Sequence, residues 1–234
     1  MVYFCPANRH HFRNLFLYLQ CRPLDGCLGG VEKQKKIIMA DVFLLRHGSY
    51  QNKNNIIPFR LPKFPLDVIG IKQAESTAEF LTDKKIKVIF SSPMLRCRQT
   101  AQIIAKKLHL VAKISALINE TRSPYQGMNL NKYSSKQKPG FLHSYHLQNK
   151  GETYSQIYTR GHKLIKFLLQ QHPDKNALLV THGDTIMSLI YYLIDHRTEV
   201  DFSYCAIRTY IPKGGLAKVS FNNGKLTGFN QLNY

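Results

Sequence analysis

The sequence predicts an α/β fold built as a three-layer sandwich, in which a mostly parallel sheet is flanked by helices on both faces. Apolar runs of strand length alternate along the chain with segments of helical periodicity, which is typical of parallel sheets. These runs are continuously apolar, as expected for strands that are covered on both faces. The last part of the sequence alternates and turns at Asn223-Gly224, which indicates a β-hairpin.

The first predicted strand is DVFLLR, residues 41–46, and the next is KVIFSS, residues 87–92. Residues 67–84 are predicted as a helix, because small and apolar side chains recur there at helical spacing. These side chains are Ala74, Ala78 and Leu81. A second helix is predicted over 93–108, with Ser92 as its cap.

Four further elements are predicted before the hairpin. Residues 113–119 resemble a third strand, and residues 152–172 form a long helical pattern. The run NALLVTHG, residues 176–183, is predicted as a strand, and residues 184–195 as the helix that follows it. The predicted folded domain therefore spans residues 39–234.

Residues 1–38 differ from the rest in having no clear period, and they are expected to be an N-terminal extension that is disordered or peripheral. A targeting peptide and a native start at Met39 remain alternatives. A zinc site is a further alternative, although its spacings match no standard ligand pattern. Its ligands are Cys5, His10, Cys21 and Cys27.

The composition indicates an anionic partner and a reducing compartment. Lysine and arginine total 33 against 14 acidic residues, a formal charge of +19. Five scattered cysteines do not resemble a disulfide framework, so a cytoplasmic location is expected. No apolar run approaches the roughly 20 residues that span a bilayer, so no membrane span is expected.

A segment without clear periodicity, residues 121–150, interrupts the alternation of strands and helices. A stretch of this length inside a domain is usually an active-site lid or a partly disordered loop. It is rich in lysine, tyrosine and histidine, so it is either a solvated basic loop or a lid that contacts the substrate.

Polar side chains fall at equivalent places along the predicted fold. Arg46-His47 ends the first strand, Arg96 lies early in the helix after the second strand, Glu120 follows the third run, and His182 ends a later strand. Ligands bind beyond the carboxyl ends of parallel strands, so we expect these side chains to converge. Two histidines, two arginines and one carboxyl group suit phosphoryl chemistry, because arginine binds phosphoryl oxygens and imidazole can attack phosphorus.

The motifs LLRHGS, SSPMLRCRQTA and VTHGD, in this order and spacing, resemble the histidine phosphatase superfamily, branch 1, which contains the phosphoglycerate mutases and related phosphatases. The resemblance covers residues 41 to about 232. It implies the phosphoglycerate mutase-like sandwich for the fold and a histidine phosphatase domain with a lid-like insertion for residues 39–234.

The resemblance also implies the roles of the site residues. His47 matches the nucleophile that becomes phosphohistidine, and Arg46 and Arg96 match the phosphate-binding arginines. His182 matches the second histidine, which binds the phosphoryl group, and Glu120 matches the proton donor. The family requires no metal and no cofactor, so none is expected here.

Two positions depart from the family pattern. Glu120 lies in NETRSPYQG, an unusual context that makes Arg122 a further phosphate-binding candidate. The usual phosphate-binding asparagine is replaced by Lys53, which leaves the neighbouring Asn52 as a candidate.

The sequence therefore predicts a metal-independent phosphomonoesterase that acts on a phosphorylated small molecule or phosphoprotein. A phosphoglycerate mutase-type transferase is one alternative. The other is a basic protein that binds nucleic acid or acidic surfaces on a phosphatase scaffold, which is not favoured because no nucleic-acid-binding motif is visible. The physiological substrate and the oligomeric state do not follow from the sequence.

Overall fold

The computed structural model of the chain describes residues 39–134, 151–195 and 210–234. The predicted extension over residues 1–38, the zinc alternative within it and most of the basic segment 121–150 lie outside these ranges. The run YCAIRTYI, residues 204–211, with which the alternating last part of the sequence begins, also lies largely outside them.

Strands and helices alternate as the sequence predicts. The strands are β1 (Met39–Arg46), β2 (Ile86–Ser91), β3 (Ala112–Ile114), β4 (Asn176–Thr181), β5 (Leu216–Asn222) and β6 (Lys225–Leu232). The helices are α1 (Val68–Phe80), α2 (Leu95–Lys107), α3 (Leu130–Ser134), α4 (Tyr154–Gln171) and α5 (Gly183–Asp195). A 3-10 turn, Ala116–Ile118, follows β3.

The six strands form one sheet in the order β3-β2-β4-β1-β5-β6. The first four strands in this order are parallel, and β5 and β6 add an antiparallel hairpin beside β1. The hairpin turns at Asn223 and Gly224, whose φ angles of 47° and 76° fit a tight turn. The predicted mostly parallel sheet and its hairpin are confirmed.

The sheet is covered by helices on both faces, as predicted. Val42 and Leu44 of β1 belong to a buried cluster that includes side chains of α4 and α5. Phe43 and Leu45 point to the other face, where they join a cluster with side chains of α1 and α2. Because alternate residues of a strand face opposite sides, a continuously apolar β1 is buried on both.

Helix α1 approaches the loop after β1 so closely that only glycine fits at the contact. A Cβ atom on Gly70 would lie 1.9 Å from the carbonyl oxygen of Ser49, and one on Gly48 would lie 2.5 Å from the carbonyl oxygen of Gly70. Asp67 caps α1 by accepting a hydrogen bond of 2.7 Å from the backbone nitrogen of Gly70. Its other carboxylate oxygen accepts a bond of 2.6 Å from the hydroxyl of Ser49. The start of α1 is thereby fixed against the end of β1.

Two local predictions are wrong. Helix α2 begins at Leu95 with Met94 in the cap position and no side-chain cap, because the Ser92 hydroxyl instead lies 2.8 Å from His182. The third run is not one strand, because β3 ends at Ile114 and the hydroxyl of Ser115 caps the 3-10 turn. This turn carries the chain back toward the carboxyl ends of the neighbouring strands.

No helix within the described ranges is both long enough and apolar enough to cross a membrane.

Candidate active site

The polar side chains at the carboxyl ends of the strands converge, as the sequence predicts. His47 follows β1, His182 follows β4, and Glu120 follows the 3-10 turn beyond β3. One nitrogen or oxygen atom from each of these three side chains lies within 4.8 Å of the other two. Arg96, in the first turn of α2, lies among them.

His47 is buried, and its protonation follows from its hydrogen bonds. The Nε of Arg96 donates to Nε2 of His47 at 3.2 Å, and Nδ1 lies 2.9 Å from the carbonyl oxygen of Gly48. A guanidinium group can only donate, so Nε2 must accept and Nδ1 must carry the proton. Burial, followed by the charges of Arg96 and His182, holds the pKa of His47 well below its usual range. The imidazole is therefore neutral, with a lone pair on Nε2.

Arg96 is the central cation of the site, with only 1% of its surface exposed. Besides the bond to His47, one of its terminal nitrogens lies 3.2 Å from Nδ1 of His182 and 3.3 Å from Oε2 of Glu120. The same nitrogen donates to the carbonyl oxygen of Phe59 at 2.8 Å. Arg96 thus binds His47 and Glu120 by hydrogen bonds and lies beside His182 in one cluster.

Within the described residues, His47, Glu120 and His182 are also the group whose side chains could hold a metal ion. The guanidinium of Arg96 already lies within 3.3 Å of a nitrogen or oxygen atom of each. A metal ion at the centre of this group would have to displace a buried cation.

Arg46 lies beside this cluster with part of its hydrogen-bonding capacity unused. One terminal nitrogen donates to the carbonyl oxygen of Ile211 at 2.8 Å, and the guanidinium carbon lies 4.7 Å from the centre of the Tyr210 ring. The Nε atom is buried and has no hydrogen-bond partner in the described part of the chain. A buried donor without a partner is costly, and an anion bound here would satisfy it.

His182 is fully buried and is held from both ring nitrogens. Nδ1 lies 3.1 Å from Oε2 of Glu120, and Nε2 lies 2.8 Å from the hydroxyl of Ser92. A carboxylate can only accept, so the contact with Glu120 places the ring proton on Nδ1, and Nε2 then accepts a hydrogen bond from the Ser92 hydroxyl. Burial lowers the pKa of His182 to about 4, against the attraction of Glu120, so the ring is neutral at neutral pH.

Cys97 lies under this ring, with its sulfur 3.4 Å from Nε2 of His182. It is a free cysteine, and burial raises the pKa of its thiol to about 12. Because the reactive form of cysteine is the thiolate, Cys97 is a packing residue and not a nucleophile.

Glu120 is held as a carboxylate. Burial alone would raise its pKa, but His182, Arg96 and the backbone nitrogen of Thr121 together hold the pKa well below its usual range. That backbone nitrogen donates to Oε1 of Glu120 at 2.9 Å. The group that the sequence predicts as the proton donor is therefore ionised in the free protein.

Asp184 is a second carboxyl group of the site that sequence reasoning missed. Its Oδ2 accepts a hydrogen bond of 3.4 Å from the hydroxyl of Thr121, the residue after Glu120. Burial, followed by the charge of Glu120, raises the pKa of Asp184 to about 7. Two neighbouring carboxyl groups whose pKa values are pushed apart are a frequent feature of acid–base sites. The sequence feature that could have identified Asp184 is its place at the end of the motif VTHGD.

Asn52 and Arg122, the two further phosphate-binding candidates, have other surroundings. The Asn52 side chain closes a local turn, donating to the carbonyl oxygen of Ile56 at 2.8 Å and accepting from its backbone nitrogen at 3.2 Å. Short polar side chains often make such local backbone bonds. Arg122 is exposed, and its backbone nitrogen donates to Glu152 at 3.1 Å. Neither side chain is among the groups that contact His47.

Glu152 is a further residue that was missed, and it supports Glu120 indirectly. It forms ion pairs of 2.8 Å with Arg60 and 2.7 Å with Arg160. Arg60 in turn donates to the backbone carbonyl of Glu120 at 2.6 Å, and Arg160 donates to that of Leu117 at 2.9 Å. This network joins the loop around Arg60, the 3-10 turn and the start of α4.

Comparison with known proteins agrees with this geometry. Residues 42–225 match the histidine phosphatase superfamily (branch 1), and the chain belongs to this family. It is accordingly a phosphatase-type enzyme, as the sequence predicts.

Two curated relatives carry phosphatase names. The chain is 28% identical over 161 residues to the uncharacterized phosphatase PhoE of Bacillus subtilis, covering 65% of this chain and 76% of the relative. It is 30% identical over 154 residues to the probable fructose-2,6-bisphosphatase TIGAR A of Danio rerio, covering 61% of this chain and 58% of the relative.

Solved structures share the fold. YhfR of Bacillus stearothermophilus superposes with a TM-score of 0.70 at 19% identity, covering 80% of this chain and 94% of that one. A mycobacterial glucosyl-3-phosphoglycerate phosphatase in complex with VO3 superposes with a TM-score of 0.64 at 21% identity, covering 76% of this chain and 92% of that one. These likenesses confirm the predicted fold class.

Proposed function

We propose that this protein is a metal-independent phosphomonoesterase that works through a phosphohistidine on His47. The observation that carries the proposal is the state of His47. It is a buried neutral imidazole whose Nδ1 proton is directed to the Gly48 carbonyl and whose Nε2 lone pair faces Arg96. A neutral imidazole nitrogen with its lone pair free to react is the form that attacks phosphorus.

The phosphoryl group is proposed to bind where the donors of the site converge. Its oxygens would take the unused Nε of Arg46 and the guanidinium of Arg96, which then releases Nε2 of His47. The Nδ1 proton of His182, which faces Glu120 in the free protein, would supply a further donor once the phosphoryl group takes the place of that carboxylate. The paired N–H donors of a guanidinium group stabilise the charge of a phosphoryl transition state more strongly in a site that excludes water than in bulk water.

The reaction proceeds in two displacements. In the first, the Nε2 lone pair of His47 forms a bond to phosphorus, the bond from phosphorus to the ester oxygen breaks, and that oxygen takes a proton from Glu120. In the second, a water oxygen attacks phosphorus while Glu120 accepts a water proton. The phosphorus–nitrogen bond breaks, its electron pair returns to Nε2, and inorganic phosphate leaves.

Glu120 must gain a proton before the first step, since it is ionised in the free protein. A bound phosphate dianion would partly neutralise Arg96 and would repel the carboxylate, and both effects raise the pKa of a carboxyl group. Asp184 accepts a hydrogen bond from the hydroxyl of Thr121, the residue after Glu120, and its pKa of about 7 makes it a nearby group that titrates close to neutrality. Substrate binding is therefore coupled to proton uptake in this proposal.

The proposed substrates are phosphorylated small molecules or phosphoproteins. The relatives support the first of these, because their names refer to a sugar bisphosphate and a phosphorylated sugar acid. The proposed location is the cytoplasm, because the five scattered cysteines of the sequence do not resemble a disulfide framework.

The test is hydrolysis of 4-nitrophenyl phosphate in the presence of EDTA by wild type, His47→Asn and His47→Ala. We expect chelator-resistant turnover that falls by about 1,000-fold or more in both variants, because the nucleophile is lost. The matched control is His172→Ala, which should retain full activity. His172 follows the last residue of α4, four residues before β4 begins, and therefore lies away from the carboxyl ends of the strands.

Acid-labile incorporation of phosphate from a radiolabelled ester, present in wild type and absent in His47→Asn, would identify the intermediate. Turnover that disappears with EDTA would contradict the proposal. Transfer of the label to a second substrate hydroxyl in preference to water would favour the mutase alternative.

A further inference from the structure

The turn before β5, Pro212–Gly215, is hydrogen-bonded directly to the backbone that carries the nucleophile. The backbone nitrogen of Gly214 donates to the carbonyl oxygens of Arg46 at 3.2 Å and His47 at 3.1 Å. The backbone nitrogen of Arg46 donates to the carbonyl oxygen of Gly215 at 3.0 Å. The position of this turn relative to His47 is therefore fixed by backbone contacts.

The side chain of Gln73, on α1, holds the same turn from the other side. Its Nε2 donates to the carbonyl oxygen of Lys213 at 3.0 Å, and its Oε1 accepts from the backbone nitrogen of Ser49 at 2.8 Å. Gly214 has a φ angle of +76°, and a Cβ atom there would lie 2.9 Å from Gln73. Glycine is required at this position, and the adjacent Lys213 is held in place.

Lys213 extends from this turn to the site. Its Nζ lies 4.2 Å from the centre of the Tyr50 ring, which is within cation–π distance. The same ring lies 5.4 Å from the His47 ring and 5.4 Å from the guanidinium carbon of Arg96. Tyr50 therefore lies between the ammonium group of Lys213 and the catalytic cluster.

The charge of Lys213 has no ion-pair partner in residues 39–134, 151–195 and 210–234. Within the described residues, Lys213 takes part in none of the ion pairs. Burial, followed by the charge of Arg46, lowers its pKa, while the smaller effect of the Asp67 charge raises it. Asp67 accepts hydrogen bonds from Ser49 and Gly70, and no ion pair joins it to Lys213 within the described residues. A half-buried cation beside two arginines is unfavourable unless an anion is also present.

We propose that Lys213, with the face of Tyr50, forms a subsite for a second anionic group of the substrate. The inference rests on the proposed function, because Arg46 and Arg96 are taken to bind the phosphoryl group that reacts. One phosphoryl group engages those two arginines and leaves Lys213 without a partner. The substrate class is therefore a phosphomonoester that carries a second phosphate or a carboxylate, with its carbon skeleton against Tyr50.

The first test measures binding, so that it does not depend on turnover. Phenylphosphonate and 4-carboxyphenylphosphonate, which cannot be hydrolysed, are titrated calorimetrically into wild type, Lys213→Met and Lys213→Arg. We expect wild type to bind the carboxylated ligand about tenfold more tightly, in line with one charge-assisted contact. Lys213→Met should lose most of this preference, and Lys213→Arg should keep most of it.

Lys106→Met removes the same charge from an exposed position near the end of α2, and it should bind both ligands as wild type does. An equal preference in wild type and Lys213→Met would overturn the subsite, and so would failure of wild type to bind either phosphonate.

The second test uses the matched esters, phenyl phosphate and 4-carboxyphenyl phosphate. Wild type should prefer the carboxylated ester, mainly through a lower KM. This preference should fall about tenfold in Lys213→Met. Binding that follows the prediction without any ester hydrolysis would uphold the subsite and contradict the proposed phosphatase reaction. If both esters are hydrolysed and the ratio of their kcat/KM values is the same in wild type and Lys213→Met, the subsite alone would be contradicted.

Discussion

Arg96 donates a hydrogen bond to Nε2 of His47, 3.2 Å long, between two side chains that are almost completely buried. If His47 is the nucleophile, as proposed, this contact protects it in the resting protein. An arginine cannot accept a proton from a neighbour at any ordinary pH, so it keeps the reactive nitrogen unprotonated until a substrate displaces it. The Nε hydrogen of the same guanidinium is then available to a phosphoryl oxygen.

Replacing Arg96 by lysine should therefore reduce activity strongly, although the positive charge is kept. An ammonium group cannot reach His47, His182 and Glu120 with the planar geometry of a guanidinium. We expect kcat/KM for 4-nitrophenyl phosphate to fall by about 100-fold or more. Arg98→Lys, two residues further along α2 and exposed, is the matched control and should be unaffected. A similar loss in both variants would mean that the helix, and not the site, had been damaged.

Glu120→Gln should show a strong dependence on the leaving group. If Glu120 protonates the departing oxygen, esters with acidic leaving groups need it least. We expect a loss of about tenfold for 4-nitrophenyl phosphate and of about 1,000-fold or more for an alkyl phosphate such as glycerol 3-phosphate. Asp184→Asn is measured beside it. A steeper dependence on the leaving group in Asp184→Asn than in Glu120→Gln would transfer the role of proton donor to Asp184.

Asp184→Asn should also change how stability depends on pH. The pKa of Asp184 is raised from 3.8 to about 7 in the folded protein, so the folded state binds the proton more tightly than the unfolded state does. The favourable contribution of this group is complete below about pH 4 and is lost as the pH rises toward 7. Asparagine resembles the protonated acid, so the variant should gain stability relative to wild type over this interval, by about 1–3 kcal/mol at pH 8.

Urea unfolding of both proteins at pH 5 and pH 8 measures this difference. The comparison between variant and wild type is needed because His182, whose pKa is lowered to about 4, has the opposite dependence between pH 4 and 6.5. A difference in the free energy of unfolding that is the same at both pH values would contradict the prediction.

Gly70→Ala should destabilise the protein and reduce its activity together. The added Cβ would overlap the carbonyl oxygen of Ser49, so α1 must move away from the loop that follows His47. We expect a loss of about 2 kcal/mol or more in the free energy of unfolding, from overpacking against backbone. Gly228→Ala in β6 is the matched control, because its Cβ would meet only the Ser220 side chain at 3.9 Å. Equal effects of the two variants would show that the close approach is not the cause.

Sequence reasoning identified the residues whose place follows from sheet geometry alone. His47 and His182 each follow an apolar strand, and β1 and β4 are parallel neighbours, so their carboxyl ends must meet. Arg96 is the second residue of the helix after β2, and this also places it at the carboxyl ends of the strands. For these residues the pattern of strands was sufficient.

Other contributors depend on contacts between distant loops, which no periodicity encodes. Lys213 reaches the site because its turn is hydrogen-bonded to Arg46 and His47, far away in the sequence. Glu152 acts through Arg60 and Arg160 in the same way. Asn52 had the right residue type near the expected position, but a local turn with Ile56 uses its amide.

The place of β1 in the sheet has a consequence for how the protein is made. This strand pairs with β4 on one side and β5 on the other, so Val42 lies beside both Ala177 and Val219. During translation, the strand leaves the ribosome long before either partner has been synthesised. A nascent chain therefore carries an unpaired apolar strand, the kind of surface that chaperones bind and that aggregates when unprotected. The phosphatase site can assemble only after β5 has emerged.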